Sequence, residues 1–292
     1  MKVDIVIPVY NQEFPLSLTL AGFNRQKTDA DFHLIIIDDG SDQALGSLLG
    51  QFPHLQISYV RQENRGRAKA RNAALDHMKG EFVILNDADR VPHPLLIDKH
   101  LSRLNGSDNV VSIGVPKEIY FGNPENNSER ILSISETDHR AAREPLYSRV
   151  VDSIYEPSGE TSSSLPWIST FSGNMGVKRK HFEAIGGFDE GFVSWGFEHF
   201  ELGYRLYRNG AIFVRERMAV NYHIAHPRSM DYFVKAINDS HAYFYKKYNN
   251  KEVELLKPFM FGEISLQQYE ESVSGQVPWE AQHQEAIYNK IF

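Results

Sequence analysis

The chain has 292 residues, of which 41% are hydrophobic and 24% charged, so it can bury a large core in one or two domains. Its formal net charge of −7 argues against binding nucleic acid, because neutralising phosphates requires a basic face. Because cysteine is absent, disulfides, thiolate zinc sites and a cysteine nucleophile are excluded, which fits a cytoplasmic location. The apolar run at residues 3–9 is too short to cross a bilayer, and no other apolar run approaches the length of a membrane span. Peripheral contact with a membrane is compatible with this sequence.

The first hundred residues alternate strand and helix patterns. Apolar, β-branched runs predict strands at residues 3–9, 33–39, 56–60 and 81–87. Helices are predicted between them, from Phe14 to Phe23, near 43–51 with Ser41 and Asp42 as caps, and from Gly66 to Met78. This alternation indicates an α/β fold with a Rossmann-like, mostly parallel sheet and helices on both faces.

The pattern changes beyond residue 100. Residues 122–165 are rich in Asn, Ser, Glu and Arg and predict a polar insertion or mobile loop, whereas residues 167–226 return to an ordered pattern. Residues 227–292 predict a helical C-terminal extension, with an amphipathic helix from Ser229 and shorter helices near 252–257 and 265–274.

Polar residues follow three of the predicted strands, where parallel sheets bind their ligands. The third of these groups is Asp87-Ala88-Asp89. Two carboxylates at positions i and i+2 can converge on Mg²⁺ or Mn²⁺, with substrate phosphates supplying further oxygens. An ordinary polar turn is the alternative, and the place at a strand end favours the metal site.

Two further groups have the chemistry of a nucleotide site. Arg67 and Arg71 share a helix face, and a guanidinium at a helix N-terminus suits a diphosphate. Because most charge runs are solvated, only Arg71 is assigned to a ligand, and Arg67 and Lys69 to solvent. Asp38 can accept a hydrogen bond from a base or ribose, or shape the turn that follows, and both can hold at once.

The segments PVYN (8–11), DDGSD (38–42), RGRAKARNAAL (65–75) and NDADR (86–90) together resemble the nucleotide-binding half of family 2 glycosyltransferases with the GT-A fold. Residues 171–210 are similar to the acceptor-side segment of β-galactosyltransferases, polypeptide GalNAc-transferases and chondroitin-polymerase domains. The resemblance implies a GT-A domain at residues 1–226, with a nucleotide-binding half at 1–100 and an acceptor and catalytic half at 167–226.

The resemblance also implies an activity: metal-dependent transfer of a hexose or N-acetylhexosamine from a UDP-sugar to a carbohydrate, peptide or glycolipid. The residues that it implies as donor contacts are Pro8, Tyr10, Asp38, Asp39, Arg71, Asp87, Gly173, Asn174 and Trp195. The implied ligands of Mn²⁺ or Mg²⁺ are Asp89, Asp87 and His223, with His226 as a rival to His223.

The catalytic base stays open at this point. Related inverting enzymes carry Trp-Gly-x-Glu-Asp, but here His199 follows Glu198 in that string. Imidazole ordinarily titrates near neutral pH and suits proton abstraction, so His199 can be the base. Alternatively Glu198 or Glu201 takes over, although Glu201 has a favourable helical partner in Arg205 and is more typical of a structural residue.

A third alternative has no base, as in the retaining GalNAc-transferases. Inversion is expected, with a retaining transferase or a non-catalytic nucleotide-sugar-binding module as the other possibilities. A nucleotidyltransferase and a dehydrogenase are disfavoured, because no Gly-rich loop follows the first predicted strand.

Overall fold

The computed structural model describes residues 1–137, 140–193, 195–226 and 230–275. Within these ranges one sheet contains the strands β1 (Lys2–Val9), β2 (Asp31–Asp38), β3 (Ile57–Arg61), β4 (Phe82–Asn86), β5 (Arg90–Pro92), β6 (Val110–Ile119), β7 (Asn174–Lys178) and β8 (Ile212–Ile224). Their order is β3-β2-β1-β4-β7-β6-β8-β5. Strands β1 to β4 are parallel, as are β6 and β8, whereas β7 is antiparallel to both of its neighbours and β5 is antiparallel to β8.

The helices in the described ranges are α1 (Glu13–Phe23), α2 (Gly46–Leu49), α3 (Arg67–Ala73), α4 (Leu96–Leu104), α5 (Ser128–Thr137), α6 (Leu146–Asp152), α7 (Arg179–Ala184), α8 (Glu198–Arg208), α9 (Met230–Tyr248), α10 (Lys251–Glu254), α11 (Leu256–Met260) and α12 (Leu266–Ser274). Both faces of the sheet are covered. In β2, Leu34 and Ile36 enter one apolar layer and Ile35 and Ile37 enter the other. This explains the unbroken apolar run of that strand and confirms the predicted α/β fold.

The predicted helix near 43–51 is wrong in its length and in its caps. Helix α2 has four residues, follows Leu45 and lacks a side-chain cap. The Ser41 N–H instead donates to the Asp38 side chain, and Asp42 pairs with Asn11. The acidic turn after β2 is therefore stabilised by its own side chains, and they are not available to a helix.

The segment 122–165 contains α5 and α6, so the loop alternative is wrong for these two stretches. Helix α5 buries Ile131 and Ile134 in a third apolar cluster. Helix α6 is held by the buried Arg215 of β8, whose Nη2 donates to Ser148 at 2.9 Å and whose Nε pairs with Asp152 at 3.0 Å. The polar composition therefore reflects anchoring contacts as well as exposure.

The C-terminal helices pack against the rest of the domain. The ring centroid of Phe233 in α9 lies 4.5 Å from that of Trp195, and the centroid of Phe244 lies 6.0 Å from that of the buried Trp167. The predicted helix at 265–274 is confirmed as α12, which begins with a capping box at Ser265. Ser229 and residues 276–292, both within the predicted extension, lie outside the described residues. Among the described helices, none is both long and apolar enough to cross a membrane.

Candidate functional site

A cavity of about 480 Å³, the large cavity, lies beyond the carboxyl ends of β1, β2 and β4. Tyr10, Asp39 and Asp89 line it from these strand ends, and Arg71 lines it from α3. Its volume is typical of small-molecule sites. A second cavity of about 100 Å³, the small cavity, shares Arg71 with it.

Asp89, His223 and His226 form a cluster in the wall of the large cavity. One ligand atom from each lies within 4.8 Å of the others. The Asp89 Oδ2 is 3.4 Å from His223 Nε2 and 3.8 Å from His226 Nε2, and it accepts a hydrogen bond from Gln12 at 2.9 Å. The His223 Nε2 is buried, yet its contact with Asp89 does not have the geometry of a hydrogen bond. A carboxylate oxygen and imidazole nitrogens suit Mn²⁺ better than Mg²⁺, so the residues present fit a divalent transition metal.

Local charges keep Asp89 ionised and favour the protonated form of His223, whose proton a bound cation would displace. Burial alone would raise the pKa of Asp89, but His223, Arg90 and Gln12 hold that pKa well below its usual value. Burial lowers the pKa of His223, but Asp89 and Glu118 raise it above its ordinary value. Glu118 Oε1 lies 3.3 Å from His223 Nδ1, behind the ring. A carboxylate in this place orients a metal-binding histidine.

Asp87 does not belong to this cluster. Its Oδ1 accepts a hydrogen bond from Arg71 at 2.8 Å, and its Oδ2 lies 3.4 Å from Arg90 Nε. The structure therefore does not bring the two carboxylates to one point, and Asp87 as a metal ligand stays a prediction. The i, i+2 spacing lets the two side chains point to different partners.

Arg71 lies between Asp87 and Glu198, and its side chain is 2% exposed. Its Nη1 is 3.2 Å from Glu198 Oε1. Burial disfavours the guanidinium charge, but the two carboxylates outweigh this effect and raise the pKa of Arg71. Burial likewise raises the pKa of Glu198, whereas His199, Arg71 and Arg67 hold it well below its usual value. Glu198 is therefore ionised at neutral pH.

The start of α8 brings Glu198 and His199 to the small cavity. Gly196 has a φ of 91° and Phe197 a φ of 67°, and a bulky side chain rarely adopts the latter. Phe197 is buried and packs 5.5 Å from the Phe200 ring, which holds this backbone in place. Both Glu198 Oε2 and His199 Nε2 are buried without a hydrogen-bond partner. Unpaired polar atoms of residues that line a cavity are candidates for contact with a polar ligand.

Pro8, Trp195 and Gly173, three of the predicted donor contacts, line the cavities: Pro8 the large one, Gly173 the small one and Trp195 both. Gly173 has a steric reason to be glycine, because a Cβ there would lie 2.4 Å from Arg90 Nε and 2.5 Å from Asp87 Oδ2. The backbone can therefore lie directly against these two side chains.

Asp38 and Asn174 are not in the lining of either cavity. Asp38 accepts hydrogen bonds from the Ser41 N–H and from the Tyr59 hydroxyl, at 2.8 and 2.7 Å. The Asn174 side chain pairs with His100 and donates to two backbone carbonyls. Both side chains are occupied by partners within the protein, and their roles as donor contacts stay predictions.

Sequence reasoning missed several lining residues. Arg67 is exposed as expected, yet it lines both cavities. Arg90 also lines both cavities. Gln12 had a local signal, since it lies two residues beyond Tyr10. Glu118 and Tyr232 had none, because only the pairing of β6 with β8 and the docking of α9 bring them here.

A family model described as glycosyl transferase family 2 matches residues 4–184, and one described as the N-terminal domain of galactosyltransferase matches residues 158–227. The chain is 30% identical over 280 residues to the uncharacterized glycosyltransferase YfnE of Bacillus subtilis, covering 86% of this chain and 71% of that protein. It is 31% identical over 280 residues to the chondroitin synthase of Escherichia coli, covering 87% of this chain but only 40% of that protein.

Two solved structures share the fold. A fragment of S. aureus TarS in complex with UDP has a TM-score of 0.63 at 16% identity, covering 95% of this chain and 83% of the fragment. The mannosyltransferase PcManGT from Pyrobaculum calidifontis, in complex with GDP-Man and Mn²⁺, has a TM-score of 0.55 at 20% identity, covering 86% of this chain and 71% of that one. These likenesses confirm the predicted GT-A fold.

Proposed function

This chain belongs to glycosyl transferase family 2 and is a glycosyltransferase, and on that premise we propose that it transfers a sugar from a UDP-sugar to an acceptor hydroxyl, with a divalent metal and with inversion. The observation that carries the proposal is the cluster of Asp89, His223 and His226 beside the Arg71–Asp87 pair. It combines metal ligands with cationic side chains in one cavity, as the departure of a diphosphate requires.

Asp89 and His223 would hold Mn²⁺ or Mg²⁺, with His226 as a third ligand. When bound, the metal supplies positive charge that stabilises the leaving diphosphate. Arg90 adds a donor of its own, because its Nη1 is buried and has no hydrogen-bond partner. Arg67 is exposed and lines both cavities, so it is placed to meet a phosphate.

The nucleoside would lie against Tyr10 and Asp39. The Asp39 carboxylate already accepts the backbone N–H groups of Arg65 and Gly66, both at 2.9 Å, which fixes its position. A carboxylate has about four acceptor positions, so Asp39 can also accept the N–H of a uracil. Tyr10 is half-exposed at the strand end and offers a ring face to the base.

Inversion needs a base for the acceptor hydroxyl, and the charges of the site favour His199. Glu198 has a depressed pKa and is already paired with Arg71, so it is a weak base and a good hydrogen-bond acceptor. His199 Nε2 is unpartnered in the wall of the small cavity, and its ring stacks on Phe171 at 6.1 Å. We therefore assign proton abstraction to His199 and the orientation of sugar hydroxyls to Glu198.

The test measures UDP release from a panel of UDP-sugars in the presence of Mn²⁺, together with Mn²⁺-dependent binding of UDP by calorimetry. Asp89→Asn keeps the shape of the side chain but removes its charge, so both signals should fall by about 100-fold. The matched control is Asp29→Asn, at an exposed aspartate outside both cavities, which should leave both unchanged. Tight binding of UDP with Mn²⁺ but no turnover on any acceptor would instead identify a binding module.

A further inference from the structure

Part of the rim of the large cavity is apolar and comes from outside the nucleotide-binding half. Phe192 and Val193 contribute from the segment before α8, and Tyr232 and Phe233 from α9. Val193 is 86% exposed and Tyr232 is 64% exposed. Of the eight large apolar side chains exposed in the described ranges, three line this one cavity: Tyr10, Val193 and Tyr232. Exposed apolar surface concentrated in this way marks a binding surface.

The segment and the helix that form this rim are tied together. Lys247 of α9 donates to Asp189 at 2.6 Å and to the buried Glu201 of α8 at 2.7 Å. The Phe192 ring meets Tyr243 of α9 edge-on at 4.8 Å. Phe192 and the segment before it are therefore held against α9, and a surface fixed in this way loses less entropy when a ligand binds.

We propose that Val193 and Tyr232 form a platform for a pyranose ring of the acceptor, so that the acceptor is a carbohydrate; this deepens the proposed function and rests on it. A pyranose has a C–H face, and the tyrosine ring offers an apolar face on which it can stack, so the two are complementary. An extended peptide would need partners for its main-chain N–H and C=O groups, whereas this rim offers apolar side chains.

The position of the platform agrees with this assignment. Trp195 lines both cavities and lies against Phe233, the neighbour of Tyr232. A sugar ring on the rim beside Trp195 therefore lies where the two cavities meet. His199, assigned above as the base, lines the small cavity.

The experiment measures UDP release at saturating UDP-sugar and Mn²⁺, with methyl pyranosides of glucose, galactose, N-acetylglucosamine, N-acetylgalactosamine and glucuronic acid as acceptors, and a Ser/Thr peptide as the rival class. At least one pyranoside should stimulate release. Tyr232→Ala should raise the KM for that pyranoside about tenfold, because the stacking surface is lost, without changing the KM for the donor. Tyr232→Phe keeps the ring and should stay within about twofold of the wild type.

The control is Met218→Ala, which removes another exposed apolar side chain that lines neither cavity. Stimulation by the peptide alone, by no pyranoside, or equally in wild type and Tyr232→Ala, would overturn the platform. Calorimetry of Mn²⁺-dependent UDP binding, in the wild type and in Asp89→Asn, distinguishes a failure of the platform from a failure of the proposed function. If the pyranoside experiment fails but the wild type still binds UDP with Mn²⁺, only the platform is wrong. If the wild type does not bind UDP with Mn²⁺, the proposed function is wrong.

Discussion

At the residue scale, Arg71 determines how the charges of the site are arranged. Its guanidinium forms hydrogen bonds to Asp87 on one side and Glu198 on the other. Burial raises the pKa of Asp87, but Arg71 and Arg90 hold it below the usual value. The half-buried Asp87 and the buried Glu198 thus stay ionised near the cluster of Asp89, His223 and His226. A planar guanidinium can bridge both acids at once, which the single ammonium of a lysine does less well.

His199 stands where the inverting enzymes that this chain resembles carry an aspartate, and this residue gives the first prediction. If its imidazole accepts the proton, His199→Ala should lower kcat for transfer by about 100-fold or more. Binding of UDP with Mn²⁺ should not change, because His199 lies outside the metal cluster. His199→Asp should recover part of the activity, because a carboxylate in this position can also accept the proton.

Steady-state kinetics of the two variants and the anomeric configuration of the product, read by NMR, provide the test. Transfer by His199→Ala within about threefold of the wild type, with retained configuration, would contradict the assignment of a base. That outcome would favour a mechanism like that of the retaining GalNAc-transferases.

At the scale of elements, one buried carboxylate of α8 binds side chains of α9. Glu201 is fully buried and accepts hydrogen bonds from Arg205, Lys247 and Tyr248. Arg205 also donates to the carbonyls of Ile185 and Gly187, which ties α8 to the segment after α7. The expectation that Glu201 is structural therefore agrees with its contacts, and these contacts hold the helix whose first turn carries Glu198 and His199.

The second prediction compares two Arg–Glu pairs of the same helical separation. Glu201→Gln removes the charge from a buried network and should lower the free energy of unfolding by about 3–5 kcal/mol. Glu183→Gln alters the exposed pair with Arg179, which is 3.2 Å long, and should cost under about 0.5 kcal/mol. Urea unfolding followed by tryptophan fluorescence measures both, and equal losses would show that the network contributes little.

At the scale of the whole molecule, the parts that sequence reasoning could find are the local ones. Strands β1 to β4 were predictable because each is a short apolar run bounded by polar residues, and their carboxyl ends carry Tyr10, Asp39 and Asp87. The antiparallel insertion of β7 between β4 and β6 has no such local signal. Glu118 reaches the site only through the pairing of β6 with β8, and Tyr232 only through the docking of α9. The residues that long-range packing brings to the site could therefore be identified only from the structure.

The last prediction concerns stability against acid, which depends on the Asp38 carboxylate at the end of β2 and its hydrogen bond from Tyr59 of β3. Burial raises the pKa of Asp38, but the hydrogen bonds from Tyr59 and Ser41 and the charge of Arg61 lower it below the usual value. A carboxyl group with a depressed folded pKa stabilises the protein above the unfolded pKa near 4, and this contribution is lost as the pH falls through the folded value. Tyr59→Phe should therefore cost about 1.5–3 kcal/mol at pH 7, and the difference from wild type should shrink toward pH 3.

The control for this pH dependence is Tyr155→Phe. The Tyr155 hydroxyl is buried and pairs with the Ser169 hydroxyl at 2.5 Å, a neutral partner that does not titrate in this range. Its loss should cost about 1 kcal/mol equally at pH 7 and pH 3. Urea unfolding of both variants and the wild type at pH 7, 5 and 3 supplies the comparison. A Tyr59→Phe deficit that is the same at all three values would mean that its partner Asp38 contributes no charge to the bond, and the acid sensitivity would then have to arise at another carboxylate.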